Sequence, residues 1–459
     1  MALRRVLIAN RGEIAVRIVK ACFDEGIESV LAVSDADRDS LGAQLADQVV
    51  CIGPAAAAES YLDIDRVLAA AKVAGCDALH PGYGFLSERP ELPAACEEEG
   101  VIFIGPSAAA MRRSGDKATA RALAKELDVP INEGSDVIEA EAEAREIAAA
   151  IGYPVLLKAA AGGGGRGMRL VESEAGMAAA FAQAHGEAEA AFGDGRLFLE
   201  RYVRSARHVE VQVLGDAERN VIHLGTRDCT LQRRYQKLIE EAPAPNLPDA
   251  LRAEIQEAAV RLIGALHYSG AATCEFLVDP DRGSAGFLEI NARLQVEHPV
   301  SELVTGVDVV REMLRIAGGE GLSVGQDEIE VRGHAIEVRI NAESPARDFA
   351  PTPGTLATWV VPVGTDVRVD TACFPGWTVP AFYDSLLAKL IGSGPDREAA
   401  LARTRQALRH LRVEGVETTA GFALDLLEHP EVVAGRVHTR WVEETFLPEW
   451  GGTALAEAA

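Results

Sequence analysis

The stretch ATCEFLVDPDRGSAGFLEINAR, residues 272–293, has two short apolar runs joined by a turn rich in Asp, Pro and Gly, which predicts a β-hairpin. A pairing centred near Arg282 sets Glu275 opposite Glu289, with Asn291 on the same face as Glu289. Two opposed carboxylates repel unless a cation lies between them. Two acids and an amide oxygen suit Mg²⁺ or Mn²⁺ bridging nucleotide phosphates. The hairpin therefore predicts a metal site, and the alternative is a solvated face with incidental acids.

A second stretch, KAAAGGGGRGM at residues 158–168, places four glycines after the strand-like run YPVLLKA. Such a tract is either a flexible spacer or a backbone that closely approaches a ligand. A Walker-type P-loop is excluded because its lysine follows the glycines, whereas Lys158 precedes them. We predict a loop whose backbone N–H groups cover phosphates while Lys158 contributes a positive charge. A flexible surface loop remains the alternative.

Composition narrows the class of protein. The chain has 459 residues, of which 48% are apolar and 25% charged, as expected for a globular protein of two or three domains. Its 45 Lys and Arg against 70 Asp and Glu give a net charge of −25, which argues against nucleic acid or an anionic membrane as partner. Seven scattered cysteines without a CxxC pair indicate reduced thiols. Charge appears too early for a signal peptide, and no apolar run reaches the roughly 18–20 residues of a membrane helix, so we expect a cytoplasmic protein.

The order of predicted elements suggests the domain organisation. Residues 1–114 alternate strands and helices, which predicts a doubly wound, mainly parallel sheet, although no GxGxxG follows the first strand. Residues 115–130 form a connecting segment, and residues 131–202 form a small unit that contains the glycine tract. From 203 to 459, β-type segments come first and mixed α/β structure follows.

Two polar clusters stand out in this acidic chain. They are RDCTLQRRYQK (227–237) and NARLQVEHPVSE (291–302), which carry Lys237, Arg293, Gln295 and Glu297. Arginines and a lysine near one glutamate predict a pocket for a small planar anion with a proton acceptor. Structural ion pairing is the open alternative.

Taken together, these motifs resemble the biotin carboxylases of the ATP-grasp superfamily. The resemblance extends over nearly the whole chain and also includes IANRGEIAVRI, HPGYGFLSE and GHAIEVRINAE. It implies an α/β ATP-grasp fold with an N-terminal doubly wound domain (1–114), a mobile lid (131–202) and a C-terminal mixed α+β region (203–459). It also implies ATP- and bicarbonate-dependent carboxylation of biotin through carboxyphosphate, in an acetyl- or acyl-CoA carboxylase.

The resemblance assigns roles to individual residues. It implies ATP binding by Lys117, Lys158, Gly164, Gly165, Met168, Glu200, Val203, His208, Gln232, Tyr235 and Leu277. It implies two Mg²⁺ or Mn²⁺ ions at Glu275, Glu289 and Asn291, and a bicarbonate pocket formed by Lys237, Arg293, Gln295, Val296 and Glu297. The resemblance also implies four catalytic residues, Lys237, Arg293, Glu297 and Arg339. Of these, Glu297 would be the general base and Arg339 would stabilise the biotin enolate.

A few residues depart from the family pattern. Tyr235 replaces a frequent histidine near the nucleotide, Ala292 a common threonine and Arg89 a common asparagine. Ala160 and Ala161 stand where the family commonly has Ser-Gly, which shortens the glycine tract by one. None of these changes removes a predicted phosphate, metal or bicarbonate residue.

The sequence also suggests partners. Biotin is normally attached to the lysine of Met-Lys-Met, and none of the five methionines precedes a lysine, so we expect a separate biotin carboxyl carrier protein. A separate carboxyltransferase component is expected because the chain stops early. The resemblance further implies a homodimer, with Arg17 and Asp24 as interface residues.

Two rival functions remain at this point. Another ATP-grasp ligase, joining a carboxylate to an amine, would lack the RLQVEHP pocket. A silent nucleotide-binding protein would be expected to have lost Glu297, Lys237 or a metal ligand, yet all are present.

Overall fold

A computed structural model describes residues 2–160 and 168–451. The N-terminal part contains a five-stranded parallel sheet in the order β3-β2-β1-β4-β5, which confirms the predicted doubly wound domain. Its strands are β1 (Arg5–Ile8), β2 (Glu28–Ser34), β3 (Gln48–Gly53), β4 (Ala78–His80) and β5 (Ile102–Phe103). The helices of this part are α1 (Gly12–Asp24), α2 (Leu41–Leu45), α3 (Ile64–Val73), α4 (Glu91–Glu98) and α5 (Ala108–Gly115). Helix α6 (Lys117–Glu126) lies in the connecting segment.

The small unit is a three-stranded antiparallel sheet backed by two helices. It contains α7 (Glu141–Ile151), β6 (Val155–Ala159), β7 (Arg169–Val171), α8 (Met177–Phe192) and β8 (Leu197–Arg201), with β6 in the centre. Side chains alternate along β6, so Val155, Leu157 and Ala159 are buried in the apolar core of this unit. Lys158 therefore lies on the opposite face.

An antiparallel eight-stranded sheet dominates the rest of the chain, in the order β13-β12-β9-β10-β11-β14-β19-β18. The first elements are β9 (Arg207–Gly215), β10 (Val221–Arg233), β11 (Gln236–Ala242), α9 (Asp249–Ala265), β12 (Gly270–Asp279), β13 (Ser284–Asn291), α10 (His298–Thr305) and α11 (Val309–Ala317). Strand β14 (His334–Asn341) follows, then the short strands β15 (Glu343–Ser344), β16 (Ala350–Pro351) and β17 (Thr358–Val360). The last elements are β18 (Val367–Thr371), β19 (Leu386–Gly394), α12 (Arg397–His410), β20 (Arg412–Glu414), α13 (Ala420–Glu428), α14 (Pro430–Val433) and α15 (Leu447–Glu449).

Strand β9 shows how this sheet separates an apolar core from a polar site. It is buried along its whole length. Val209, Val211 and Val213 pack in the core formed with helix α9. The alternate residues His208, Glu210 and Gln212 must face the other way, because side chains alternate across a strand. Buried polar groups need partners, so this second face requires compensating charges.

Candidate active site

The hairpin β12–β13 carries the predicted metal-binding residues. Glu275 is the direct cross-strand partner of Glu289, and Thr273 that of Asn291, which confirms the predicted pairing. Nearer the turn, Phe276 pairs with Phe287, and a β-bulge between Glu275 and Phe276 shifts the register by one residue. Without that bulge Glu275 would face Leu288, so the bulge is what opposes the two carboxylates.

Lys237, on β11, is surrounded by carboxylates from three separate segments. Its Nζ lies 2.6 Å from Glu297 Oε1 and 3.3 Å from Glu275 Oε1, and it also donates to Glu210. Burial alone would lower the pKa of the Lys237 ammonium, but Cys229, Glu210, Glu275 and Glu297 raise it well above its ordinary value. Lys237 is therefore a permanent positive charge at the centre of the site.

Glu297, immediately before α10, is fully buried between two cations. Lys237 binds Oε1, and Arg339 Nη2 lies 3.0 Å from Oε2. Burial favours the protonated carboxyl, but Lys237, Arg339 and Arg227 outweigh this effect and lower the pKa of Glu297 to about 2. The carboxylate is thus ionised and able to accept a proton.

A short chain of hydrogen bonds joins the predicted anion pocket to the hairpin β12–β13, which carries the predicted metal ligands and is called the metal hairpin below. Arg293 Nη1 donates to Gln295 Oε1 at 2.9 Å, and Arg293 Nη2 donates to Asn291 Oδ1 at 3.3 Å. Asn291 Nδ2 donates to Glu275 Oε1 at 2.7 Å, and Gln295 Nε2 donates to the same atom at 3.3 Å. The carbonyl oxygen of Val296 accepts a hydrogen bond from Lys389 Nζ at 2.9 Å.

The two lysines predicted to bind phosphates each pair with another predicted site residue. Lys158 donates to Glu200, which also accepts from Arg121 Nη1 at 3.0 Å. Lys117, at the start of α6, lies 3.1 Å from Glu289 Oε2. These pairs bring the small unit, α6 and the metal hairpin together around one charged region.

The remaining predicted nucleotide contacts occupy different environments. His208 is the cross-strand partner of Leu277, and its Nε2 lies 3.0 Å from Glu275 Oε2. Gln232 is the cross-strand partner of Lys237. Tyr235 is 67% exposed at the tip of the β10–β11 hairpin. Val203 is buried after β8, and Met168 is half-buried before β7, whereas Gly164 and Gly165 lie outside the described residues.

Three charged residues of the site, Glu210, Arg227 and Glu240, were not predicted from the sequence. Arg227 is fully buried and donates to Glu210 and, at 2.6 Å, to Gln212 Oε1. Glu240 accepts a hydrogen bond from Arg339 Nε at 2.6 Å. For Glu210, the usable signal was the motif HVEVQV (208–213), in which polar residues alternate with valines along a strand that is fully buried.

The residues at the hairpin fit a divalent cation. Glu275 and Glu289 share a face, and carboxylate and amide oxygens are the donors that Mg²⁺ prefers. Lys117, which pairs with Glu289, is a cation suited to the phosphates that such an ion would bridge. Two other groups, His208 with Glu210 and Glu275, and Glu210 with Cys229 and Glu297, are also compact enough for a metal. We assign no ion there because the ammonium of Lys237 contacts every carboxylate of these two groups, whereas Glu289 of the hairpin lies outside its reach and pairs with Lys117.

One of the two residues expected at a dimer interface, Arg17, forms ion pairs within its own chain. Arg17 is only 7% exposed, and its Nη2 lies 2.9 Å from Glu302 Oε1 and 2.5 Å from Asp308 Oδ1 within the same chain. Asp24 is exposed. All seven cysteines are free thiols. No helix in residues 2–160 or 168–451 has the length and apolar character to cross a membrane.

A small antiparallel unit and a large antiparallel sheet that contribute lysines and carboxylates to one charged site define an ATP-grasp protein. Three family models match the chain. They are the biotin carboxylase N-terminal domain at residues 2–111, the carbamoyl-phosphate synthase L chain ATP-binding domain at 116–324, and the biotin carboxylase C-terminal domain at 337–444.

Named relatives agree with these matches. Biotin carboxylase from Pseudomonas aeruginosa is 49% identical over 96% of this chain and 98% of its own length. Biotin carboxylase 1 of Bacillus subtilis is 47% identical over the same shares. Biotin carboxylase from a Nostoc species is 48% identical, over 97% of this chain and 99% of that protein.

Solved structures lead to the same family. The Campylobacter jejuni biotin carboxylase–βγ-ATP complex superposes with a TM-score of 0.92 at 44% identity, covering 96% of this chain and 98% of that one. The biotin carboxylase domain dimer of Hydrogenobacter thermophilus 2-oxoglutarate carboxylase, with MgADP, ADP and bicarbonate, gives 0.90 at 42% identity over 97% and 98%. The chain belongs to the biotin carboxylase family and is an ATP-dependent ligase. The predicted family, ATP-grasp fold and biotin-carboxylating activity are confirmed, and the expected ATP, Mg²⁺ and biotin agree with this family.

Proposed function

We propose that this chain uses ATP and bicarbonate to carboxylate biotin carried by a separate biotin carboxyl carrier protein. The observation that carries the proposal is Glu297, ionised between Lys237 and Arg339 and within one hydrogen-bonded cluster with Glu275. This arrangement combines a base, an anion pocket and a metal-binding hairpin.

Bicarbonate binds, in this proposal, beside Lys237, Arg293 and Gln295, with the backbone at Val296. The guanidinium and ammonium groups supply charge-assisted hydrogen bonds to a planar anion. Lys389 fixes the backbone of this pocket, because its ammonium donates a hydrogen bond to the Val296 carbonyl oxygen. An arriving anion competes for Lys237, which weakens the grip of that lysine on Glu297.

Glu297 is the proposed general base. With a pKa of about 2 it is ionised but weakly basic while Lys237 and Arg339 both hold it. Loss of part of that interaction to bicarbonate raises its proton affinity at the moment when a proton must be accepted. The deprotonated bicarbonate attacks the γ-phosphorus of ATP, displaces ADP and forms carboxyphosphate.

Glu275, Glu289 and Asn291 are the proposed holders of two divalent ions. Mg²⁺ bound there would neutralise charge on the phosphate oxygens. Lys117 and Lys158 would add positive charge on the nucleotide side. Glu200, Val203, Met168, His208, Gln232, Tyr235, Leu277, Gly164 and Gly165 complete the proposed nucleotide contacts.

Arg339 acts in the second stage. Carboxyphosphate breaks down to CO₂ and phosphate, and the phosphate takes the N1′ proton of biotin. Arg339 stabilises the enolate by electrostatic attraction, and N1′ attacks CO₂. Residues 131–202 are the proposed lid that excludes water. The other proposed units are the domain at 1–114, the connecting segment at 115–130 and the C-terminal region at 203–459.

One similar structure is a biotin carboxylase domain dimer of a 2-oxoglutarate carboxylase, and another is the biotin carboxylase component of a pyruvate carboxylase. We propose a homodimer in the cytoplasm that works with the carrier protein and a carboxyltransferase component of an acetyl- or other acyl-CoA carboxylase. The final carboxyl acceptor is set by that transferase.

ATP cleavage measured with and without bicarbonate, and with and without free biotin, tests the proposal. Turnover that requires bicarbonate and rises with biotin is expected. Turnover indifferent to both would favour another ATP-grasp ligase, and no turnover would favour a silent nucleotide-binding protein.

A further inference from the structure

Two buried glutamates form a cross-strand pair next to Arg339. Glu240 on β11 and Glu337 on β14 are direct cross-strand partners, and both are fully buried. Cross-strand partners have Cβ atoms roughly 4.5–5.5 Å apart. Two ionised carboxylates at that separation in a protein interior repel strongly, so such a pair tends to retain a proton.

The surroundings of the two carboxyl groups differ. Glu240 Oε1 accepts from Arg339 Nε at 2.6 Å and lies 2.5 Å from Arg339 Nη2. Within the described part of the chain, no donor reaches either oxygen of Glu337 or Oε2 of Glu240. A proton on Glu337 would leave the ion pair between Glu240 and Arg339 intact, whereas a proton on Glu240 would weaken that pair.

The charges facing the pair support the same assignment. Burial raises the pKa of Glu337 well above its ordinary value; Lys389 and Arg339 oppose this shift, whereas repulsion from Glu240 and Glu297 adds to it. Burial also raises the pKa of Glu240, to about 7, but there Arg339 opposes the shift directly through its ion pair.

We propose that Glu240 and Glu337 share one proton, held on Glu337, and that ionised Glu240 is a positioning residue that holds Arg339 against Glu297. Arg339 Nη2 contacts both Glu240 Oε1 and Glu297 Oε2, so the anchor and the base are joined by one guanidinium. The inference rests on the proposed role of Arg339 in the biotin step. It adds a residue that touches no substrate.

The substitutions Glu240→Gln and Glu337→Gln form a matched pair, since both remove a carboxyl group from the same buried site. Glu240→Gln should lower biotin-dependent turnover about 10²-fold, because Arg339 loses the charge that orients it. Bicarbonate-dependent ATP cleavage without biotin should fall less, since Lys237 still holds Glu297. Glu337→Gln mimics the protonated acid and should keep both rates near the wild type.

Equal losses in the two variants would overturn the proposal. So would a Glu240→Gln variant in which both reactions fall together, as a general loss of packing would cause.

Infrared spectroscopy tests the proton even if Glu240→Gln does not fold. The spectrum of the wild-type protein minus that of Glu337→Gln should contain, at neutral pH, the C=O stretch of one protonated carboxyl group. Its absence would overturn the assignment. A wild-type protein without bicarbonate-dependent ATP cleavage would instead refute the proposed function, and the infrared result would still decide where the proton lies.

Discussion

Lys237 Nζ lies 2.6 Å from Glu297 Oε1, so the proposed base is held by the same ammonium that contacts Glu275 on the metal hairpin. One cation thus links the anion pocket to the nucleotide side. We expect binding at either place to redistribute the contacts of Lys237.

Replacing Glu297 with Gln should lower the rate of bicarbonate-dependent ATP cleavage by roughly 10²–10⁴-fold. Glutamine keeps the size of the side chain but cannot accept a proton from bicarbonate. Steady-state rates of ADP release measure the effect. The exposed Glu320→Gln variant serves as control and should match the wild type. A nearly full rate in Glu297→Gln would remove this residue from the role of base.

Replacing Glu289 with Gln should raise the Mg²⁺ concentration needed for half-maximal activity by at least about tenfold, since losing even a group that only supports a metal site typically costs 10–100-fold. The reason is the loss of one of two opposed carboxylates. Activity titrated against Mg²⁺ at saturating ATP measures it. Asp281→Asn, at the exposed turn of the same hairpin, should leave the titration unchanged. An identical response in both variants would contradict the metal assignment.

Replacing Lys237 with Met should reduce the free energy of unfolding by about 3–5 kcal/mol near neutral pH, because it removes the one cation that contacts Glu210, Glu275 and Glu297 together. In the wild type, Lys237 lowers the pKa of Glu275 and Glu297, and the resulting stabilisation is fully present above the pKa of the unfolded acids, about 4.3. In the variant, burial is no longer compensated by Lys237, so we expect the folded pKa of those acids to rise above the unfolded value and stability to fall as pH rises through it. The difference should therefore be larger at pH 8 than at pH 5.

Denaturant unfolding at the two pH values measures this difference. The control is Lys20→Met, at an exposed position of α1. A deficit that does not change with pH would show that Lys237 contributes packing rather than charge.

Replacing Glu337 with Gln should stabilise the protein at alkaline pH. Because the pKa of this acid is raised in the fold, its contribution is fully favourable below the unfolded pKa and is lost as pH rises toward the folded pKa. Glutamine does not titrate, so the variant should match the wild type near pH 5. Above that it should gain up to about 1.4 kcal/mol per pH unit. The measurement is denaturant unfolding across this range, beside the exposed Glu254→Gln on α9. Parallel stability curves for wild type and Glu337→Gln would contradict it.

The charged residues of the site differed in how far they could be predicted. Glu275, Glu289 and Asn291 were predicted because a two-residue period and a recognisable turn specify a hairpin, and the bulge preserved the pairing. Arg293, Gln295 and Glu297 stood out because basic residues cluster in an acidic chain. Glu210, Arg227 and Glu240 were missed because the sequence of a strand does not show whether the face that carries its charged residues is exposed to solvent or covered by other elements.

The sequence by itself determined the family, the parallel N-terminal sheet and the opposed acids. These follow from the alternation of elements, the spacing of motifs and the residue types within them, because each depends on neighbours along the chain. Only the tertiary structure decided which charges meet in the interior. Helix α10 and the segment before it cover one face of the large sheet, and α10 forms an apolar cluster there with strands β11, β14 and β19. Glu240, Glu297 and Glu337 are fully buried there, and Arg339 is half-buried beside them. Once desolvated, these groups must compensate one another, and their partners come from segments far apart in sequence.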